Sequence, residues 1–232
     1  MEENSNLTAE RSLEIITEQI ERSRQAVSKT TGESLYVSGL CTAGMAVVVA
    51  VVNMITMNTF GAAGLGHLLW LVLPVVIWLA SRRFNKERAK APVSLVGSMV
   101  AKTWTTFAVF VLGFFVIAII WGFLGARLMP PSEFKIIHIR VAPVIVLLMG
   151  MAVTITGHIL HQRWLVRFGI IAGLLCFVWE HFYMGEWLLL HLLPLTPHES
   201  AAYIASMPCL TIFVFALVGL LLPGMMLKKQ CR

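Results

Sequence analysis

The chain has 232 residues, of which 58% are hydrophobic and only 13% are charged, and its mean hydropathy is +0.81. Soluble globular domains carry about 25% charged residues, so this composition excludes an ordinary soluble protein and indicates an integral membrane protein. The net charge of +6 does not indicate nucleic-acid binding, because the cations cluster at the ends of apolar segments, where they meet anionic lipid headgroups.

Six apolar segments alternate with short polar ones, and about 20 residues suffice to cross the hydrocarbon core of a bilayer. The sequence therefore predicts an all-α integral membrane protein with six transmembrane helices. The predicted spans are about 35–57, 60–80, 103–126, 141–160, 165–190 and 203–227. They form a bundle over residues 34–227, which follows a short cytoplasmic amphipathic helix at 1–33 and precedes a basic tail at 228–232.

The distribution of Lys and Arg predicts the orientation. Of the 18 cations, only Arg127, Lys135 and Arg140 lie on the even-numbered side of the alternation. Cytoplasmic loops collect Lys and Arg, so both termini are predicted inside, in a bacterial cytoplasmic (inner) membrane. The first 33 residues lack the apolar stretch of a secretory signal peptide, and we expect the first span to direct insertion.

The N-terminal segment has the pattern of an amphipathic helix. Leu13, Ile16, Ile20 and Val27 fall on one face, and Glu residues occupy other faces. Because such a short helix is marginal alone in water, we expect it to rest on a second copy, on a cytoplasmic protein partner or on the cytoplasmic ends of the spans. Its Glu-rich surface argues against simple adsorption to anionic lipid, for which Lys- and Arg-rich faces are usual.

Glu180 is the one acidic residue in the interior of a predicted span. It follows Arg167 by 13 residues, or roughly 20 Å of helix, which places it in the outer third of the hydrocarbon. Intervals of three and four residues connect Gly169 through Glu180 to Tyr183 on one helical face. We therefore expect Glu180 to point into the bundle, where it is protonated or paired with His181 or Asn53. These residues form the candidate intramembrane polar site: Glu180, His181, Tyr183 and Asn53.

Small residues predict where two spans pack. Gly169 and Gly173 form a GxxxG motif, which allows membrane helices to approach closely. The fourth span offers a matching seam with Gly150, Thr154 and Gly157. We expect these two seams to face each other, although a GxxxG motif also permits a homo-oligomer.

The histidines raise the question of a metal. His158 and His161 are three residues apart at the cytoplasmic interface, where an interfacial anchor is the favoured interpretation. An outer group of His and Glu residues contains metal-binding types, but its spacing matches no metal motif. Its members are Glu180, His181, Glu186, His191, His198 and Glu199. No metal or other cofactor is predicted.

Catalytic motifs are absent from the sequence. All 12 acidic residues are Glu, the four cysteines are scattered, and neither HExxH nor a Walker A motif occurs. The chain is therefore predicted not to be an enzyme. The first hypothesis is a membrane scaffold or sensor whose partner binds the apolar stripe of the N-terminal helix beside the basic connection 82–90. The alternative is a small permease, or a lipid- or solute-binding protein, with Glu180 lining the path.

Several segments resemble a known group. Leu147–Gly157, Val166–Gly173, Phe213–Gly224 and the opening Leu7–Thr17 resemble a family of uncharacterised small six-span integral membrane proteins of Bacteroidota. The resemblance implies an N-terminal Glu-rich helix, about six spans and a regulatory or stress-linked role, with no established activity. This chain has Met225-Met-Leu after its final Pro-Gly, where that family commonly has a polar residue.

Overall fold

A computed structural model describes residues 2–60, 65–84, 95–128, 140–193 and 197–230. Every element within these ranges is helical. The basic connection at 85–94, Lys135 and Cys231 lie outside the described residues. The helices are α1 (Glu2–Phe60), a 3-10 segment (Leu65–Val72), α2 (Leu73–Phe84), α3 (Leu95–Leu128), α4 (Val141–Ile159), α5 (Arg163–His181), α6 (Met184–Leu192), α7 (Pro197–Phe215), a π segment (Ala216–Leu221) and α8 (Leu222–Gln230).

Six helical stretches within the described ranges are long and apolar enough to cross a membrane. They confirm the predicted all-α class and the predicted number of apolar helices. Large apolar side chains are exposed along the outer faces of α2 and α3, among them Trp78, Val109, Phe110 and Ile117. A soluble monomer rarely exposes so large an apolar surface, and this one is typical of a helical membrane protein.

Helix α1 is continuous over 59 residues, or about 88 Å at 1.5 Å per residue. It passes residue 33 without a break, so the predicted amphipathic helix and the first span are one rod. Gly32 does not interrupt it, because a Cβ there would lie 2.7 Å from the Leu227 Cβ and the glycine instead allows α8 to pack closely. The part that precedes this contact projects beyond the bundle.

Prolines coincide with two changes of helix type. Pro74 lies in the first turn of α2, where the 3-10 segment changes to an α-helix. Pro223 follows the π segment and cannot donate a hydrogen bond to the carbonyl of Gly219. The N–H of Leu222 instead reaches the Leu217 carbonyl five residues back, and this wider turn accommodates the missing donor.

The predicted fifth span, 165–190, is wrong in one respect, because it is two helices. Helix α5 ends at His181, and α6 begins at Met184. Between them Tyr183 has φ 58° and ψ 27°, a left-handed conformation that a helix interior does not tolerate. Apolar periodicity continues through this point, so hydropathy alone gave no signal of the break.

The bundle has a packed centre and two peripheral elements. Helices α4 and α5 form the most extensive contact, and α1 packs along α7, the π segment and α8. Val146, Val153, Leu165, Phe215 and Leu220 lie fully buried between these helices. Helix α3 rests on α4, and the 3-10 segment with α2 rests on α1.

Glycines bring α4 and α5 together. A Cβ on Gly150 would lie 2.7 Å from the Gly173 Cα, and one on Gly169 would lie 2.7 Å from the Thr154 backbone nitrogen. A Cβ on Gly157 would similarly meet the backbone at the start of α5. Since backbone atoms cannot yield as a flexible side chain can, larger residues at these positions would force the helices apart.

We therefore expect Gly150→Ala to destabilise the protein by about 1–3 kcal/mol, the usual cost of overpacking a core. The matched control is Gly113→Ala in α3, where a Cβ would meet nothing within 4 Å and where Ala favours the helix. Thermal unfolding in mild detergent, followed by circular dichroism, measures both. Equal midpoints for the two variants would contradict the close packing of α4 on α5.

Candidate functional site

The short α4–α5 turn brings Arg140 next to Glu180. Arg140 immediately precedes α4, and Glu180 lies in the last turn of α5. The two helices are antiparallel neighbours, so both residues lie at the same end of the bundle. The Arg140 Nη1 atom lies 3.5 Å from Glu180 Oε1, and the two side chains are the centre of what we call the Arg140 cluster: Arg140, Glu180, Tyr183, Glu186 and Thr211.

Glu180 is buried within the bundle, with 3% of its surface exposed. The Thr211 hydroxyl on α7 donates a 2.8 Å hydrogen bond to Glu180 Oε2. Glu180 Oε1 is also buried and has no hydrogen-bond partner within the described residues, only the longer ion pair with Arg140. An ionised carboxylate in such a place is costly unless a counter-charge compensates it, and Arg140 supplies that charge.

Arg140 connects three consecutive helices through further contacts. Its Nη2 atom donates to Glu186 Oε1 of α6 at 2.5 Å, and its Nη1 atom donates to the Glu180 backbone carbonyl at 3.3 Å. The guanidinium lies 3.4 Å from the centroid of the Tyr183 ring, a cation–π contact. The left-handed backbone of Tyr183 turns α6 back, so that Glu186 reaches the same guanidinium as Glu180.

The Arg140 cluster contains two carboxyl groups and one guanidinium. With both carboxyls ionised, the cluster carries one uncompensated negative charge, which one proton or one monovalent cation would neutralise. The shorter contact of Arg140 goes to Glu186, so Glu180 is the less closely paired carboxyl. Chemically, the arrangement can hold a proton on Glu180 or exchange it for a cation.

Asn53 does not contact Glu180, so the predicted pairing of these two side chains is wrong. The Asn53 Oδ1 atom accepts a 2.8 Å hydrogen bond from the Gly66 N–H, and Asn53 Nδ2 lies 3.4 Å from the Ala205 carbonyl oxygen. The 3-10 segment lies against α1 and brings Gly66 and His67 over Asn53. The Asn53 amide thus has its hydrogen-bond partners in a polar group that is separate from the Arg140 cluster. Its contact with the Ala205 carbonyl joins α1 to α7.

His67 completes this second group. Its Nε2 atom lies 3.0 Å from the Ala205 carbonyl oxygen and 3.3 Å from Asn53 Nδ2, so it donates to the carbonyl in one tautomer and accepts from the amide in the other. Pro208 lies within α7 and lacks the N–H that would bond to the Ile204 carbonyl. The backbone hydrogen bonds of α7 are therefore interrupted at this turn. The neighbouring Ala205 carbonyl accepts hydrogen bonds from other elements.

His181 does not pair with Glu180 either, so this second of the predicted alternatives is also wrong. Its ring is stacked on Phe177 at 5.2 Å between centroids and meets the edge of Phe182 at 5.1 Å. Adjacent residues on a helix point about 100° apart, so His181 is exposed when Glu180 is buried. Tyr183, in contrast, does join the site through Arg140.

The remaining histidines do not gather with other metal-binding residues. His158 and His161 are exposed at the α4–α5 turn, where His161 has φ 56°. His191 is stacked on Trp187, and the side chain of His198 lies outside the described residues. Within the described part of the chain, no three His, Cys or Glu side chains form a group that could hold a metal.

Sequence reasoning missed the roles of Arg140 and Thr211, and it considered Glu186 only as a metal ligand. One signal was present, since Arg140 is one of three cations on its side and directly precedes an apolar span. A buried carboxyl requires a partner, and Arg127 and Arg140 are the two cations that adjoin predicted spans on that side. Thr211 gave no signal, because hydroxyl residues are common in apolar helices.

We expect Arg140→Gln to lower the free energy of unfolding at neutral pH by about 3 kcal/mol, near the lower end for a broken buried ion pair. The lower value follows from the 23% exposure of the Arg140 side chain. The double variant Arg140→Gln/Glu180→Gln should recover part of this loss, because no unpaired carboxylate remains. Thermal unfolding in detergent measures both, and a double variant less stable than Arg140→Gln would contradict the pairing.

Comparison of the chain with protein-family models, with curated proteins and with solved structures finds no match in any of the three. The resemblance to the six-span Bacteroidota family therefore stays a prediction.

Proposed function

We propose that the protein is a non-enzymatic membrane adaptor, a scaffold or sensor that presents the projecting part of α1 to a cytoplasmic protein. One observation carries this proposal. Leu13, Ile16 and Ile20 are 64%, 52% and 49% exposed on a formed helix. Val27, further along the same stripe, packs against the bundle core. The apolar stripe thus begins in the bundle and continues, uncovered, beyond it.

The proposal includes an orientation. With both termini in the cytoplasm of a bacterium, the cations next to the apolar segments of α1, α2 and α8 meet the anionic lipid of the inner leaflet. These are Lys29, Arg82, Arg83, Lys228 and Lys229. The projecting helix then stands in the cytoplasm, and the Arg140 cluster lies near the opposite surface.

The exposed stripe is suited to a helical partner. Burying one aliphatic side chain contributes roughly 1.5–3 kcal/mol, so three such residues offer enough free energy for specific binding. The helix is already formed as the continuation of the first span, and the cost of nucleating it does not oppose association. The polar residues of this segment form exposed ion pairs, such as Glu18–Arg22.

We expect Ile16→Ser/Ile20→Ser to reduce a specific protein partner more than about tenfold in affinity purifications from native membranes, since two buried aliphatic contacts are lost. Membrane insertion should be unchanged, because the spans are unaltered. Quantitative mass spectrometry of what co-purifies measures the effect.

The matched control changes two polar residues of the same exposed segment, Glu18→Ser/Arg22→Ser, and removes their ion pair. A partner retained with this control and lost with the isoleucine variant supports the adaptor. If every co-purifying protein is recovered equally with both variants, the stripe is not a binding surface and the proposal fails.

A second candidate function is supported by the Arg140 cluster. Its excess of one carboxyl over one guanidinium, with Glu180 Oε1 lacking a hydrogen-bond partner in the described structure, suits a small permease that takes up a proton or a cation. In this alternative Glu180 lines the path, and Arg140 holds the carboxyl in place. Polar and ionisable groups inside membrane bundles commonly mark such paths.

This alternative predicts proton or cation flux in proteoliposomes that is lost in Glu180→Gln, because the amide cannot exchange a proton. The control is Glu199→Gln, which removes an exposed carboxyl at the start of α7. A pH-sensitive dye inside the vesicles reports proton influx after an acid pulse. Flux that is absent from the wild type, or equal in the wild type and Glu180→Gln, would exclude Glu180 as part of a path.

A further inference from the structure

Helix α6 arranges its residues in the reverse order of a helix on a water-exposed surface. Gly185 is buried, Leu189 is half-buried, and Glu186 reaches the Arg140 guanidinium inside the bundle. The other residues of α6 are exposed, and all of them except His191 are apolar. These apolar residues are Met184, Trp187, Leu188, Leu190 and Leu192. The outward face is therefore apolar and the charged residue points inward, which is the opposite of an amphipathic helix in water.

The depth of α6 follows from two neighbouring helices that carry cations at the opposite end of the bundle. Trp179 lies 16 residues after Arg163, which begins α5, and Met207 lies 21 residues before Lys228 in α8. At 1.5 Å per residue these separations are about 24 Å and about 31 Å. Because the hydrocarbon core of a bilayer is about 30 Å thick, Trp179 and Met207 both lie close to its far edge.

Gly185 holds the start of α6 at this depth. A Cβ on Gly185 would lie 2.9 Å from Trp179 Nε1 and 3.2 Å from Met207 Sδ, so α6 packs directly on α5 and α7. The left-handed turn at Tyr183 ends α5 and allows α6 to lie beside its last turn. The exposed ring of Phe182 precedes this turn, so the apolar surface of α5 continues onto the outward face of α6.

The length of α6 limits how it can lie at the edge of the hydrocarbon. Its nine residues extend only about 14 Å, which is too short to cross a bilayer. Directed away from the membrane, α6 would expose its row of leucines to water. Directed along the membrane surface, it places the same leucines among acyl chains. Trp187, which stacks on His191 with 4.5 Å between ring centroids, is a residue type that is enriched at the boundary between hydrocarbon and headgroups.

We propose that α6 is an interfacial helix whose outward face inserts into the lipid leaflet nearest the Arg140 cluster. Its leucines contact acyl chains, and Trp187 lies at the headgroups. Interfacial helices commonly carry Lys and Arg residues that bind anionic lipid, but α6 has neither. Its one carboxyl, Glu186, is paired with Arg140 instead, so insertion depends on apolar contact and not on the charge of the headgroup. Insertion of α6 is independent of the proposed adaptor and of the orientation of the chain.

The test uses the full chain, one copy per nanodisc, in phosphatidylcholine that carries a diazirine near the carbonyl end of one acyl chain. Light expels nitrogen from the diazirine, and the resulting carbene inserts into C–H bonds of side chains that contact the lipid. Peptide mass spectrometry then locates the adducts. We expect adducts on Leu188, Leu190 and Leu192 in a yield comparable to that on Phe123, which is exposed near the end of α3. The yield should be the same when phosphatidylglycerol replaces phosphatidylcholine.

Leu190→Glu places a carboxylate on the outward face of α6. It should lower the yield of adducts on the rest of α6 about fivefold, which corresponds to roughly 1 kcal/mol for one half-exposed leucine removed from hydrocarbon. Leu128→Glu is the matched control, because it makes the same change at an exposed leucine at the end of α3 and should leave the adducts on α6 unchanged. Gel-filtration profiles and thermal midpoints identify any variant that fails to fold, and the wild-type adducts do not depend on either variant.

Adducts on Phe123 without adducts on α6 would overturn the proposal. Hydroxyl-radical footprinting then identifies what covers α6 instead. Rapid oxidation of Met184 and Trp187 would place the helix in water, and protection of both would place it beneath another part of the protein. Adducts on α6 that form only in phosphatidylglycerol would also overturn the proposal, since they would indicate adsorption driven by charge. So would equal adduct yields on α6 in Leu190→Glu and Leu128→Glu.

Discussion

The close approach of α4 and α5 determines where the polar side chains of this protein can lie. Gly150 and Gly173 bring the two backbones into contact. A side chain larger than that of glycine does not fit between them. The short turn at His161 makes the helices antiparallel and in register. Arg140 at the start of α4 therefore comes next to Glu180 at the end of α5, and any change that separates the helices also separates this ion pair.

The Arg140 cluster connects the α4–α5 pair to the rest of the bundle. Glu186 connects it to α6, and Thr211 connects it to α7. Helix α7 is in turn joined to α1 through Asn53 and the Ala205 carbonyl. Two separate polar groups thus hold one end of the bundle, and hydrogen bonds of this kind carry part of the specificity between apolar helices.

Hydropathy predicted the number of apolar helices, because the thickness of a bilayer imposes a minimum length on every span. Periodicity also predicted that Glu180 faces inward, since residue spacing determines the face of a helix. It could not predict which side chain Glu180 meets. Asn53 and Arg140 lie at comparable depths, and the choice between them depends on which helices are neighbours, a property of the whole bundle.

The break at Tyr183 illustrates a second limit. Residues 180–184 contain neither Gly nor Pro, and the nearby Gly185 lies inside the first turn of α6. Two contacts stabilise the left-handed conformation of Tyr183. The Arg140 guanidinium lies on the Tyr183 ring, and the same guanidinium donates a hydrogen bond to Glu186. A turn that depends on contacts with a residue as far as 46 positions away along the chain leaves little local signal. The projecting stripe was predicted from spacing, but its lack of contact with the bundle was not.

The uninterrupted length of α1 has a mechanical consequence. About 25 residues precede the point where α1 joins the bundle, which is about 37 Å of helix. A straight rod of that length acts as a lever, and a 10° tilt of the first span would carry its tip sideways by about 6 Å. That is more than the spacing of one helical turn. Small rearrangements among the spans are therefore magnified at the surface of α1 that stands furthest from them.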